Sequence, residues 1–137
     1  MKSSGAPWAA RIRDLRVLVV EDDTLVSLFL EAQLEAIGVT HGVQMAQSLD
    51  TALWLAQSGA FDVALLDVYL NGEASYAVAQ ALQARHIPFA FASGFTQGEV
   101  HALFPGVPLI AKPFQAAQLE AVLKTLLEQE GNLSLRM

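Results

Sequence analysis

The chain has no cysteine, which removes disulfide staples, thiolate nucleophiles and thiolate metal sites from consideration. It is also poor in charge: 16% of residues are charged, against roughly 25% for an ordinary globular domain. Acids outnumber Lys and Arg by 14 to 8, giving a formal charge of −6, so the basic face that nucleic-acid binding requires is missing. No stretch approaches ~18 consecutive apolar residues, which speaks against a membrane span. The opening Met-Lys-Ser-Ser-Gly-Ala-Pro lacks the apolar core of a signal peptide. The expected location is cytoplasmic, with neither nucleic acid nor membrane as a partner.

What the chain does have is apolar residues, 53% of its 137, enough for one domain with a real core. That excess fits a sheet buried on both faces, whose strands read as nearly continuous apolar runs. Five such runs occur, around Val17–Val20, 39–45, 62–67, 87–92 and 107–111. Helical segments separate them. Thr24 is a plausible N-cap for a first helix whose stripe is Leu25, Leu28, Phe29, Leu34 and Ile37, with Gly38 as the closing glycine. Ser48 caps a second helix ending near Gly59, and a third runs from about Ser75 to Arg85. Asn71-Gly72 marks a turn between the third strand and that helix. A short fourth helix lies around Glu99–Phe104 between glycines and Pro105, and the last spans about Gln115 to Glu130, closed by Gly131-Asn132. Alternating strands and helices predict an α/β fold, a flavodoxin-like doubly wound sheet of five parallel strands in the order 2-1-3-4-5, with helices on both faces. Residues 1–14 read as a tail, 15–130 as the domain and 131–137 as a second tail, with no attached output domain expected.

Four of the five runs end in a polar residue that can do chemistry. The first leads into Glu21, Asp22 and Asp23, the third ends in Asp67, the fourth in Ser93 and the fifth in Lys112. The second ends at Met45-Ala46 with nothing attached, as suits an edge strand away from the cleft. In doubly wound sheets ligands bind at the carboxyl edge of the strands. Two carboxylates ~4 Å apart there repel by roughly 4 kcal/mol at an effective dielectric near 20, so the cluster calls for a cation or raised pKa values. An all-oxygen donor set with room for water suits Mg²⁺. Asp67 could then act as a nucleophile toward a phosphoryl group, with Ser93 and Lys112 binding the transferred oxygens.

These residues fall in motifs that resemble the receiver domain of bacterial two-component response regulators over roughly residues 15–130. The motifs are Val-Leu-Val-Val-Glu-Asp-Asp (17–23), Leu-Leu-Asp (65–67), Ala-Ser-Gly (92–94) and Lys-Pro-Phe (112–114). The resemblance implies Asp67 as phosphoacceptor, Glu21 and Asp22 as the acidic pair, Ser93 as switch hydroxyl and Lys112 as phosphate contact. It also implies that the Tyr69 backbone carbonyl completes the metal shell, that Mg²⁺ is the cofactor, and that the Lys112–Pro113 bond is cis. A narrower likeness joins Pro-Phe-Ala-Phe-Ala-Ser-Gly-Phe (88–95) and Asp-Val-Tyr-Leu-Asn-Gly-Glu (67–73) to the alphaproteobacterial group called FAT GUY. Those receivers are commonly single-domain and linked to HWE-type or related histidine kinases. Here Ser93 stands for the signature's threonine and Phe95 for its final tyrosine.

The implied function is a phosphoacceptor that takes a phosphoryl group from a histidine kinase or histidine phosphotransferase and signals by protein–protein contact. Its only catalysis would be its own phosphorylation and dephosphorylation. Leu109 occupies the place where most receivers carry an aromatic, so phosphorylation is expected to act by ordering or moving residues 94–106, without a rotating ring. Output is expected through a face of the fourth helix, fifth strand and last helix, as a homodimer or partner interface. Val100, Leu103 and Phe104 would lie there beside Leu119, Val122, Leu123, Leu126 and Leu127. Two rival functions are a Mg²⁺-dependent aspartyl-phosphate phosphohydrolase and a receiver-like module that is never phosphorylated. Haloacid-type hydrolases place a second Asp two residues after the nucleophile, where this chain has Tyr69. His41, His86 and His101 lack metal spacing, Trp54 reads as helix packing, and Trp8 in the tail as a docking residue for its own domain or a partner.

Overall fold

Alternation along the strands decides the layers. In the computed structural model, which describes residues 11–94 and 97–136, β1 (Arg16–Val20) sends Val17 and Val19 to one face and Leu18 and Val20 to the other. β3 (Val63–Asp67) repeats the division, with Val63 and Leu65 opposite Ala64 and Leu66. β6 (Phe89–Ser93) divides Ala90 and Ala92 from Phe89 and Phe91. Because successive side chains point to opposite faces, an apolar run of this kind is stable only with both faces covered. With β2 (Gly42–Ala46) and β7 (Leu109–Ala111), these strands form one parallel sheet in the order β2-β1-β3-β6-β7. Counting only those five, this is the predicted 2-1-3-4-5 order. The two strands unforeseen in the sequence are short, β4 (Tyr69–Leu70) and β5 (Glu73–Ala74), paired antiparallel as a separate hairpin. Asn71 and Gly72 join them, both at positive φ (50° and 83°), the conformation of the two-residue hairpin turn that Asn-Gly favours.

One face is covered by α1 (Thr24–Ala36) and α5 (Ala116–Arg136), the other by α2 (Leu49–Ser58), α3 (Tyr76–Ala84) and α4 (Gln97–Leu103). Ser48 caps α2 as predicted, its hydroxyl accepting from the Thr51 amide. Gly42 is required by close approach, since a Cβ there would lie 2.3 Å from the Leu15 carbonyl oxygen.

Several expectations are corrected. Asp23, not Thr24, caps α1, accepting from the Leu25 and Val26 amides. The buried face of α1 is Ser27, Leu30, Gln33 and Leu34, while Leu25, Leu28 and Phe29 are exposed (77%, 57% and 56%). Two polar residues take the inner face because each has a partner there. The Ser27 hydroxyl donates to the Glu21 carbonyl at 3.4 Å and Gln33 Nε2 to the Phe114 carbonyl at 2.9 Å. Trp54 is also exposed, not packed. α5 continues past Gly131-Asn132 to Arg136. At the other end, Ile12, in the 1–14 segment, is buried in the core. Trp8 and Phe95 lie outside the described residues. Among these described residues no helix is long and apolar enough to cross a membrane.

The apolar output face is corrected as well. Val100, Phe104, Leu119, Leu123, Leu126 and Leu127 are all buried, and Val122 partly so, leaving Leu103 as the exposed large side chain of that set. The helices spend those residues on the sheet. Their number therefore no longer argues for a homodimer through α4, β7 and α5.

Candidate functional site

Strand register carries the chemistry to one edge. Val20 pairs with Leu66 and Asp67 with Ala92, so Glu21 and Asp67 follow their strands at the same level. Ser93 pairs with Ala111, and the ladder continues as the Lys112 amide donates to the Ser93 carbonyl at 2.9 Å. The residues predicted on four separate strands thus meet at one place. One carboxylate oxygen from each of Glu21, Asp22 and Asp67 lies within 4.8 Å of the others. No other group of three or more His or acidic side chains so arranged occurs among the described residues.

Lys112 closes the cluster. Its ammonium lies 3.3 Å from Asp67 Oδ2 and makes a short hydrogen bond to Glu21 Oε1. The Lys112–Pro113 bond is cis. Burial disfavours the lysine's charge, but its hydrogen bond to Glu21 and the charges of Asp67 and Glu21 outweigh it and raise its pKa. Glu21 is only 3% exposed, and burial raises its pKa despite the bonds from Lys112 and the Asp23 amide. Ser93 is buried at the end of β6. This is a negatively charged, partly dehydrated cleft with one cation already in it. Its all-oxygen donor set fits a hard divalent ion such as Mg²⁺.

The loop after β3 is built around this cleft by Tyr69 and Asn71 of the 67–73 motif together with Ser75, Tyr76 and Glu99, which belong to no motif. The Asn71 amide donates to Asp22 Oδ2 at 2.8 Å. The Ser75 hydroxyl, fully buried, donates to the Asp67 carbonyl at 2.5 Å, and its amide to the Val68 carbonyl. Tyr69, two residues past Asp67, donates its hydroxyl to Glu99 Oε1 at 3.0 Å, and Tyr76 makes a second, short bond to the same oxygen. Both phenols are held protonated: its bond to Glu99 raises the pKa of Tyr69, and burial followed by its own bond to Glu99 raises that of Tyr76. Asn-Gly in the sequence signalled the turn that delivers the Asn71 amide. Nothing in the sequence marked Ser75, Tyr76 or Glu99 as partners of the loop.

A scan of protein-family models gives no match, and no curated protein matches either. Solved structures do. SdrG from Sphingomonas melonis Fr1 is 38% identical, with 82% of this chain and 96% of SdrG covered at a TM-score of 0.72. A response regulator receiver protein from Sinorhizobium medicae is 24% identical at TM-score 0.75, over 83% of this chain and 94% of that one. The receiver domain of the Pseudomonas aeruginosa sensor histidine kinase PA1611 is 23% identical at TM-score 0.72, covering 83% and 98%, and holds a magnesium ion coordinated in its active-site cleft. With its parallel sheet in receiver order, its acids and lysine at one edge and 38% identity over nearly all of SdrG, this chain belongs to the response regulator receiver-domain family.

Proposed function

We propose that this receiver is a phosphoacceptor, taking a phosphoryl group onto Asp67 from a histidine kinase or histidine phosphotransferase and passing the signal on by protein–protein contact in the cytoplasm. The observation that carries the reading is Lys112 within 3.3 Å of Asp67 Oδ2, in an acid cluster that joins Asp67 of β3 to Glu21 and Asp22 after β1. Asp67 attacks phosphorus, a new P–O bond forms, and the P–N bond of the donor phosphohistidine breaks with its electron pair returning to the imidazole. Glu21, Asp22, Asp67 and the Tyr69 carbonyl would hold Mg²⁺, which supplies charge neutralisation for the transferred oxygens. Lys112 balances a further oxygen, and the Ser93 hydroxyl donates to another. Release of the group is hydrolysis of the acyl phosphate by water.

A donor must cover the rim of the cleft to present its imidazole. Exposed Leu25, Leu28 and Phe29 begin four residues after Glu21, on the helix that Asp23 starts, and supply an apolar surface for that contact. An HWE-type kinase is the donor that the family likeness favours. Intact mass after incubation with acetyl phosphate and Mg²⁺ tests the reading. One added phosphoryl group is expected in the wild type and none in Asp67→Asn or in EDTA; an unmodified wild type would reject it.

A further inference from the structure

The chain has two tyrosines, and both hydroxyls converge on one carboxylate, that of Glu99 in α4. Neither phenol belongs to the acid cluster, yet each is tied to it. Tyr69 sits in β4 between Asp67 and Asn71, whose amide is bonded to Asp22. Tyr76 starts α3 directly after Ser75, whose hydroxyl is bonded to the Asp67 carbonyl. The Tyr76 ring also meets Phe91 of β6 edge-on at 6.3 Å and Phe104, just after α4, at 5.6 Å. Phe91 lies two residues before Ser93 and opposite Leu109 in the β6–β7 register. A single glutamate therefore joins the loop that follows the phosphoacceptor to the helix that follows the switch serine.

We propose that Glu99, gripped by Tyr69 and Tyr76, is a positioning residue that couples occupancy of the acid cluster to the position of α4. The inference rests on the receiver reading above and names the link within it. The reason is mechanical. α4 is pinned on its inner side by Val100 and Phe104, which are buried but apolar and place no directional demand on it. Among the hydrogen bonds described here, those of Glu99 are the directional ones running from α4 to the 68–76 segment. Leu109, packed against the apolar core that holds Phe91, Val100 and Phe104, has no polar side-chain atom with which to do so. A ligand that moves Asp22, and with it Asn71, moves Tyr69 two residues away, and Glu99 follows its hydroxyl.

Backbone amide spectra of the full chain, titrated with Mg²⁺ and then beryllofluoride, test this. In the wild type, amides beside Asp67, Ser93 and Lys112 and those of Gln97–Leu103 should shift with one common midpoint. In Glu99→Ala the site amides should still shift, with a midpoint within about twofold, while the α4 response falls by at least half. Tyr76→Phe, which keeps the ring against Phe91 and Phe104, should reduce the α4 response in the same direction and so guards against a folding artefact. An α4 response unchanged in both variants would overturn the proposal, as would a silent α4 in a wild type whose site amides respond. Loss of the site response itself in Glu99→Ala would also overturn it, by making Glu99 part of the site's framework. Site amides that fail to respond in the wild type would reject the phosphoacceptor reading instead, and so the two failures are distinct.

Discussion

The Asn71 amide donates to Asp22 Oδ2 at 2.8 Å, fastening the hairpin after Asp67 to the acid pair at the end of β1. The bond depends on the positive φ of Asn71 and Gly72, so the geometry of the acid cluster depends on a turn.

Gly72→Ala should therefore cost both stability and affinity. A Cβ there would meet nothing within 4 Å, which leaves backbone strain at φ +83° as the whole effect, about 1–2 kcal/mol. Urea unfolding should report that loss. Mg²⁺ titration should show affinity weakened severalfold as the Asn71 amide is pulled from Asp22.

Glu21 supplies a stability test with a defined pH dependence. Its folded pKa is raised above the ordinary carboxylate value of 4.5 by burial, so folding disfavours its ionised form relative to the unfolded chain. The contribution is favourable below about 4.5 and is lost as pH rises through the folded value. Glu21→Gln should accordingly stabilise the metal-free protein at pH 7, on the order of 1 kcal/mol. That advantage should shrink as pH falls toward 4.5, while Mg²⁺ binding is weakened at every pH. Thermal unfolding with and without Mg²⁺ across that range measures both effects.

The rotation of α1 makes a sharp contrast between neighbours. Leu28→Lys and Phe29→Lys should change stability by no more than about 0.5 kcal/mol, as exposed substitutions do. Leu30→Ala, in the core between them and Gln33, should cost about 2–5 kcal/mol. Leu126→Ala on α5 should behave like Leu30→Ala, since Leu126 is fully buried and unavailable to a partner. Chemical denaturation of the four variants decides it.

The sheet and its edge were legible because strands buried on both faces leave long apolar runs, and because each chemical residue stands at the end of one. Val63–Leu66 then Asp67 is readable without any knowledge of contacts. The phase of α1 was not. Leu25, Val26, Leu28, Phe29 and Leu30 surround the helix, and apolarity alone could not reveal that Ser27 and Gln33 had partners inside. The surplus of leucines on α5 misled in the opposite direction, since all of Leu119, Leu123, Leu126 and Leu127 were needed for the core. Ser75, Tyr76 and Glu99 were invisible for another reason. Their role is a set of hydrogen bonds between segments more than twenty residues apart in the case of Glu99, and no local pattern encodes such a bond.

If Asp67 itself carries the phosphoryl group, chemical trapping reads that residue directly. The protein is incubated with Mg²⁺ and acetyl phosphate, then treated with borohydride, which reduces an acyl phosphate to the alcohol. Peptide mass spectrometry should find homoserine at position 67, and none after EDTA. Reduction at Asp22, a borohydride-stable phosphate on Ser93, or an unaltered Asp67 peptide would contradict the account.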